Sequence, residues 1–182
     1  MLTALCLLVF LPMLIEARLA ARNERAQRAR GGIEPPDDVY TMMRVAYPGA
    51  LLVMIGEGAV QGMAPPPVVA AGAVLWIAAK ALKWWAIRSL GPFWTFRVIV
   101  VPGARLVSSG PYRYVRHPNY VAVVGELVAV ALMAGARVMG PLATGLFCLL
   151  LLRRIAVEHR ALGWTSRLRG LSGAERRPRS GG

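Results

Sequence analysis

Five apolar runs of near-bilayer length, joined by short connections that carry almost all the positive charge, constrain this chain more than any other feature. The runs are Leu2 to Ile15, extending toward Ala21 with Arg18 snorkelling, then Val45–Met63, Val68–Ile87, Asn119–Ala134 and Leu142–Val157. A crossing helix needs roughly 20 apolar residues, and backbone in hydrocarbon must satisfy its own hydrogen bonds. The expected fold is therefore all-α, integral to the membrane, with about five transmembrane helices. Orientation follows from the basic residues. With the N-terminus outside, 21 of the 22 lysines and arginines fall on cytoplasmic segments and only Arg137 falls outside. The positive-inside bias thus predicts an N-out, C-in topology.

Composition agrees with a membrane chain. Hydrophobic residues make up 56%, charged residues 17%, and mean hydropathy is +0.49. The net charge of +13 sits beside apolar runs rather than in a free patch, which points to a bilayer surface and away from nucleic acid. Cys6 and Cys148 lie within apolar segments with no ligand spacing, so neither a disulfide nor a metal site is expected. Leu2 to Ile15 lacks a basic leader and a small-residue cleavage site, and reads as a retained span. One domain is expected over 1–166, followed by a basic, flexible cytoplasmic tail over 167–182.

The connections have readable chemistry. Arg18 to Asp38 begins as an interfacial helix and is broken by Gly31-Gly32 and Pro35-Pro36. Ala64-Pro65-Pro66-Pro67 is a tight reversal that makes the second and third spans a hairpin. Lys80 and Lys83, with Trp76, Trp84 and Trp85, read as an interfacial anchor. Phe93 to Val101 is aromatic and β-branched, suiting a short hairpin or an extended loop.

The polar knot Gly110 to Tyr120 is the outstanding candidate site. It holds one of two histidines, two arginines and three tyrosines, and its prolines stop a helix from running through it. Ionisable groups at membrane depth are costly and usually mark a pathway or a site. Arg154 and Glu158, four apart at the end of the last run, share a helix face; an ordinary salt bridge accounts for that spacing equally well. Glu57 and Glu126 are intramembrane carboxylates that need partners; capping a neighbouring helix or pairing with an arginine would satisfy each, and at least one is expected to face a polar cavity and touch substrate.

Leu106-Val107-Ser108-Ser109-Gly110-Pro111-Tyr112, Arg116-His117-Pro118-Asn119-Tyr120 and Arg154-Ile155-Ala156-Val157-Glu158 with Leu162 together resemble the isoprenylcysteine carboxyl methyltransferase-like membrane enzymes. The resemblance covers roughly Leu90 to Leu162. Arg22 to Gly31, Glu34, Tyr47-Pro48 and Glu57 look like its bacterial branch of alkylpyrone and alkylresorcinol O-methyltransferases.

The resemblance implies an S-adenosylmethionine-dependent enzyme of the bacterial inner membrane, with a cofactor cleft at the cytoplasmic face. By position, Ala104, Arg105, Leu106, Val107, Tyr112, His117, Pro118, Asn119, Tyr120 and Glu158 would contact the cofactor, and Arg154 would face the substrate. Arg154, Glu158 and His159 are the catalytic candidates. A carboxylate acceptor needs only a cation such as Arg154, whereas a hydroxyl acceptor needs a base, for which Glu158 or His159 would serve. His159 stands where the family usually has a second acidic residue. The implied substrate is a lipophilic amphiphile, prenylcysteine-, alkylpyrone- or alkylresorcinol-like. A phospholipid-amine methyltransferase, an NADPH-dependent sterol-type reductase and a non-catalytic paralogue are the alternative readings.

Overall fold

The computed structural model describes residues 2–104 and 106–174, without the side chains of residues 162 and 164–174. Arg105 and residues 175–182 of the basic tail lie outside it. Five α-helices follow in order: α1 Leu2–Ala29, α2 Tyr40–Gln61, α3 Pro66–Leu90, α4 Pro118–Ala134 and α5 Met139–Ala174. Among the described residues there is no strand, only an isolated antiparallel bridge between Ile33 and Val100. Four segments, Leu2–Ala29, Tyr40–Gln61, Pro66–Phe93 and Met139–Ala161, are long and apolar enough to cross a membrane. The fifth, α4, is a shorter apolar helix of 17 residues, about 25 Å long.

That short helix is central. Its Leu127, Ala129, Val130 and Ala134 have no exposed surface, and it packs against α2, α3 and α5. The helix α3 meets it along Gly72, Trp76, Ala79, Lys83 and Ala86, a four-three repeat that puts one side of the helix on one seam. Small residues let the backbones close, because without water to expel, contact area is what holds membrane helices together. A Cβ at Gly72 would lie 2.9 Å from the Ala129 carbonyl oxygen, so only glycine permits this approach.

Three connections take a definite form. The first span and the interfacial helix after it are one unbroken helix to Ala29, and the break expected at Gly31-Gly32 follows it, with Gly31 at φ of 77°. Pro66 and Pro67 are not in the reversal but in the first turn of α3, where a missing N–H costs nothing. Of the two forms open to Phe93 to Val101, the structure has the extended loop, its Val100 bridging to Ile33 in the α1–α2 connection.

The largest correction concerns Lys80 and Lys83, which are not an interfacial anchor. Both are withdrawn into the bundle, where Lys80 Nζ lies 2.8 Å from Glu16 and 3.0 Å from Glu126, and Lys83 Nζ 2.7 Å and 3.1 Å from the same two residues. Two cations and two anions balance, which is what allows four charges to be buried together. Glu16 sits on the stripe of α1 made by Glu16, Ala20, Asn23 and Gln27, all buried. Further along it, Asn23 Nδ2 donates to the Trp94 carbonyl at 2.8 Å and Gln27 Nε2 to the Pro92 carbonyl at 3.0 Å. The stripe fastens α1 to the bundle by polar contacts at Glu16, Asn23 and Gln27 and by apolar packing of Ala20 with Ile87 and Trp94.

Candidate functional site

The polar knot is built from a turn and a helix start. Gly110–Arg113 forms a 3-10 turn that docks on the end of α3, with Gly110 at φ of 60° and a Cβ there only 2.0 Å from Ser89 Oγ. His117 then precedes α4, with Pro118 as its first helical residue and fully buried. The His117 carbonyl accepts the Tyr120 and Val121 N–H groups at 3.1 and 3.2 Å, starting the helix and turning Tyr120 back beneath the histidine. Their rings stack with centroids 5.3 Å apart and 14° between planes.

The end of α5 meets this turn. His117 Nδ1 lies 3.5 Å from Glu158 Oε2, and its Nε2 lies 3.4 Å from His159 Nε2. A neutral His117 with its proton on Nδ1 toward Glu158 leaves Nε2 free to accept from His159. Burial holds the His117 pKa below its ordinary value, more than Glu158 raises it, while His159 and Arg116 depress it further. Tyr112 is pushed the other way: burial first, then the Glu158 charge, raise its phenol and keep it protonated.

Arg154 and Glu158 share a face, as their spacing predicts, but they are not a simple pair. Arg154 Nε donates to the Tyr120 hydroxyl at 3.0 Å, and its Nη1 donates to Asp38 Oδ1 at 3.0 Å. The side chains of Arg154 and Asp38 are only 5% and 4% exposed, so the bond is shielded from solvent. Asp38 also accepts the Val98 N–H at 2.9 Å and the Tyr40 N–H at 3.1 Å, which ties the loop after Phe93 and the start of α2 to Arg154. The second terminal nitrogen of Arg154 makes no bond among the described residues. Arg154 lines the cavity.

That cavity, of about 420 Å³, lies within the range of small-molecule sites and is lined by Tyr112, His117, Asn119, Tyr120, Arg154 and Glu158. It continues between apolar walls, including Met43, Val123, Phe147 and Leu151, to Tyr47, Glu16 and Lys83 of the buried ion cluster. Trp94, a second aromatic wall, donates its Nε1–H to Asn119 Oδ1 at 3.3 Å. At the rim Arg97 is held by Glu34 at 2.5 Å and lies over the Tyr40 ring.

Other candidate residues stand elsewhere. Ala104, Leu106 and Val107 are on the loop before the 3-10 turn and do not line the cavity, and Leu106 is 74% exposed. Glu126 is locked into the ion cluster and also accepts from the Tyr47 hydroxyl, and it does not line the cavity. Glu57 accepts the Val138 and Met139 N–H groups at 3.0 and 2.7 Å, capping the start of α5, and is likewise not a cavity residue. His159 reaches the site through His117 and is not itself among the lining residues.

Asp38, Glu16 and Trp94 are the residues that motif reading passed over. Glu16 was detectable, because a carboxylate seven residues before Asn23 shares its helix face and needs a buried cation. Asp38 left no local signal, since its partner is 116 residues away.

The family model for isoprenylcysteine carboxyl methyltransferases matches residues 72–163, half of the chain. This chain belongs to that family. The match runs from α3 through the knot to the end of the cavity-lining part of α5, and so contains every element of the site except α1, α2 and the Asp38 loop. Across a longer stretch, the chain is 31% identical over 147 residues to the uncharacterized protein YpbQ of Bacillus subtilis, covering 81% of this chain and 88% of that one. An uncharacterized protein of Haemophilus influenzae is 26% identical over 145 residues, covering 79% of this chain and 84% of its own. No solved structure matches. Family membership and the apolar helices together make this an integral membrane protein of a methyltransferase family.

Proposed function

We propose that the protein transfers a methyl group from S-adenosylmethionine to an oxygen nucleophile, a carboxylate or hydroxyl, of a lipophilic substrate within the bilayer. One observation carries the reading: a single apolar-walled cavity brings Tyr112, His117, Asn119 and Tyr120 of the knot together with Arg154 and Glu158 of α5. Basic residues at the ends of the helices favour a cytoplasmic face for this end of the bundle. A bacterial inner membrane is the setting the two bacterial relatives support.

The residues present fit the cofactor. Glu158, with 29% of its side chain exposed, is a carboxylate open enough to meet an ammonium or ribose, and Tyr112, Trp94 and Tyr120 offer ring faces suited to a cationic sulfonium. When bound, S-adenosylmethionine supplies an already activated methyl group. The protein's own contribution is then mostly positioning in a space sheltered from water. Arg154 orients the acceptor oxygen with its free terminal nitrogen. Tyr120 and Asp38 hold the guanidinium in place. For a hydroxyl acceptor, the chain Glu158–His117–His159 takes up the proton.

Calorimetric titration of the detergent-purified protein tests the assignment. S-Adenosylhomocysteine should bind and NADPH should not, and His117→Ala and Glu158→Ala should each weaken binding. Unchanged affinity in both variants would remove the cofactor from this site. Mass analysis of lipids after expression separates acceptors, and new methyl groups on headgroup nitrogen would overturn the oxygen reading.

A further inference from the structure

The cavity has a second polar pole that the methyl-transfer chemistry does not use. Glu16, Lys83 and Tyr47 line its far end. Six helical steps of α4, from Tyr120 to Glu126, separate the two poles, about 9 Å along the helix axis. The walls between are apolar.

Holding helices together does not require charges here. Replacing a buried ion cluster by well-packed apolar side chains is often neutral or stabilising, and ionisable groups at membrane depth tend to mark function. The bonding capacity of this cluster is also not exhausted. Lys83 Nζ has three N–H bonds and two carboxylate partners, Glu16 Oε2 and Glu126 Oε2, its only other neighbour of this kind among the described residues being the Tyr47 ring, 5.6 Å away, which a hydroxyl bound beside Tyr47 would share. The Tyr47 hydroxyl spends its proton on Glu126, leaving oxygen lone pairs to accept, and its ring is fixed against Phe147 at 5.4 Å. One donor and one acceptor thus stand side by side at the end of an apolar channel.

We propose that this pole is a specificity site for a second oxygen of the acceptor, a hydroxyl that accepts from Lys83 and donates to Tyr47. The inference rests on the methyltransferase reading for what happens at the first pole. The substrate class it names is a two-headed amphiphile: one oxygen at Arg154 for methylation, and a hydroxyl about one 9 Å helix interval deeper, with hydrocarbon between and beyond. A ring whose two oxygens are close neighbours cannot reach both poles by itself.

The test compares two probes, octadecanoate and octadecanoate hydroxylated on its eighth carbon, binding to the purified protein in nanodiscs. Wild type should bind the hydroxylated acid about tenfold more tightly, the worth of one satisfied buried hydrogen bond. Tyr47→Phe, which keeps the ring against Phe147, should lower that preference to about twofold or less while leaving octadecanoate affinity unchanged. Absence of a preference in wild type, failure of either probe to bind, or a preference that survives Tyr47→Phe would overturn the proposal. Because the readout is binding, it is independent of turnover. Failure of S-adenosylhomocysteine to bind while the preference persists would reject the methyltransferase reading and leave the hydroxyl site standing.

Discussion

Asp38 receives donors from three places at once: the Val98 and Tyr40 backbones and the Arg154 guanidinium. Losing one partner of a buried pair costs about 3–5 kcal/mol, because the other charge is stranded. Asp38→Ala should therefore lower kcat/KM for the acceptor by roughly a hundredfold or more, with S-adenosylhomocysteine affinity changed little. Asp38→Asn, which keeps an acceptor oxygen, should restore part of it. A merely structural role would damage cofactor and acceptor binding together. His117 makes a second prediction. Burial keeps it neutral below its ordinary pKa of 6.5, and only the neutral form can take a proton. Activity on a hydroxyl acceptor should rise with pH through an apparent pKa below 6.5, remain flat above it, and lose that inflection in His117→Gln.

Elements position these side chains by close approach. The 3-10 turn Gly110–Arg113 carries Tyr112, and it lies against Ser89 of α3 only because residue 110 has no Cβ. Gly110→Ala would meet both a left-handed backbone, about 1–2 kcal/mol, and a steric clash. It should lower the melting temperature of the solubilised protein and weaken S-adenosylhomocysteine binding in the same variant. Ser108→Ala on the same loop, an exposed position with an ordinary backbone, serves as the control. The turn motif itself was legible from its glycine and prolines. What it docks on was not, because Ser89 and Trp85 lie on the preceding helix and no local pattern links them to Gly110.

Across the whole molecule, the ion cluster couples α1, α3 and α4. Lys83→Met leaves two carboxylates with one lysine and should destabilise the protein strongly. Adding Glu16→Gln restores neutrality, so the double variant should melt higher than Lys83→Met alone, with a coupling of about 0.5–3 kcal/mol. Additive losses in thermal unfolding would mean that the residues do not act as one network.

The helical class, the five apolar segments and the knot opposite Arg154 and Glu158 follow from the sequence alone. Apolar run length, turn residues and four-residue spacing are local properties, and hydrocarbon leaves the backbone few choices. Which charges meet was decided by tertiary structure. Lys80 and Lys83 beside tryptophans read locally as a membrane-surface anchor, and only the packing of α1 and α4 brings Glu16 and Glu126 to them. Glu57 and Glu126 look alike in sequence, yet one caps a helix and the other closes an ion cluster. Asp38 reaches Arg154 because two loops fold over the same end of the bundle, and a Coulomb partner chosen by chain topology leaves no trace in the spacing of residues.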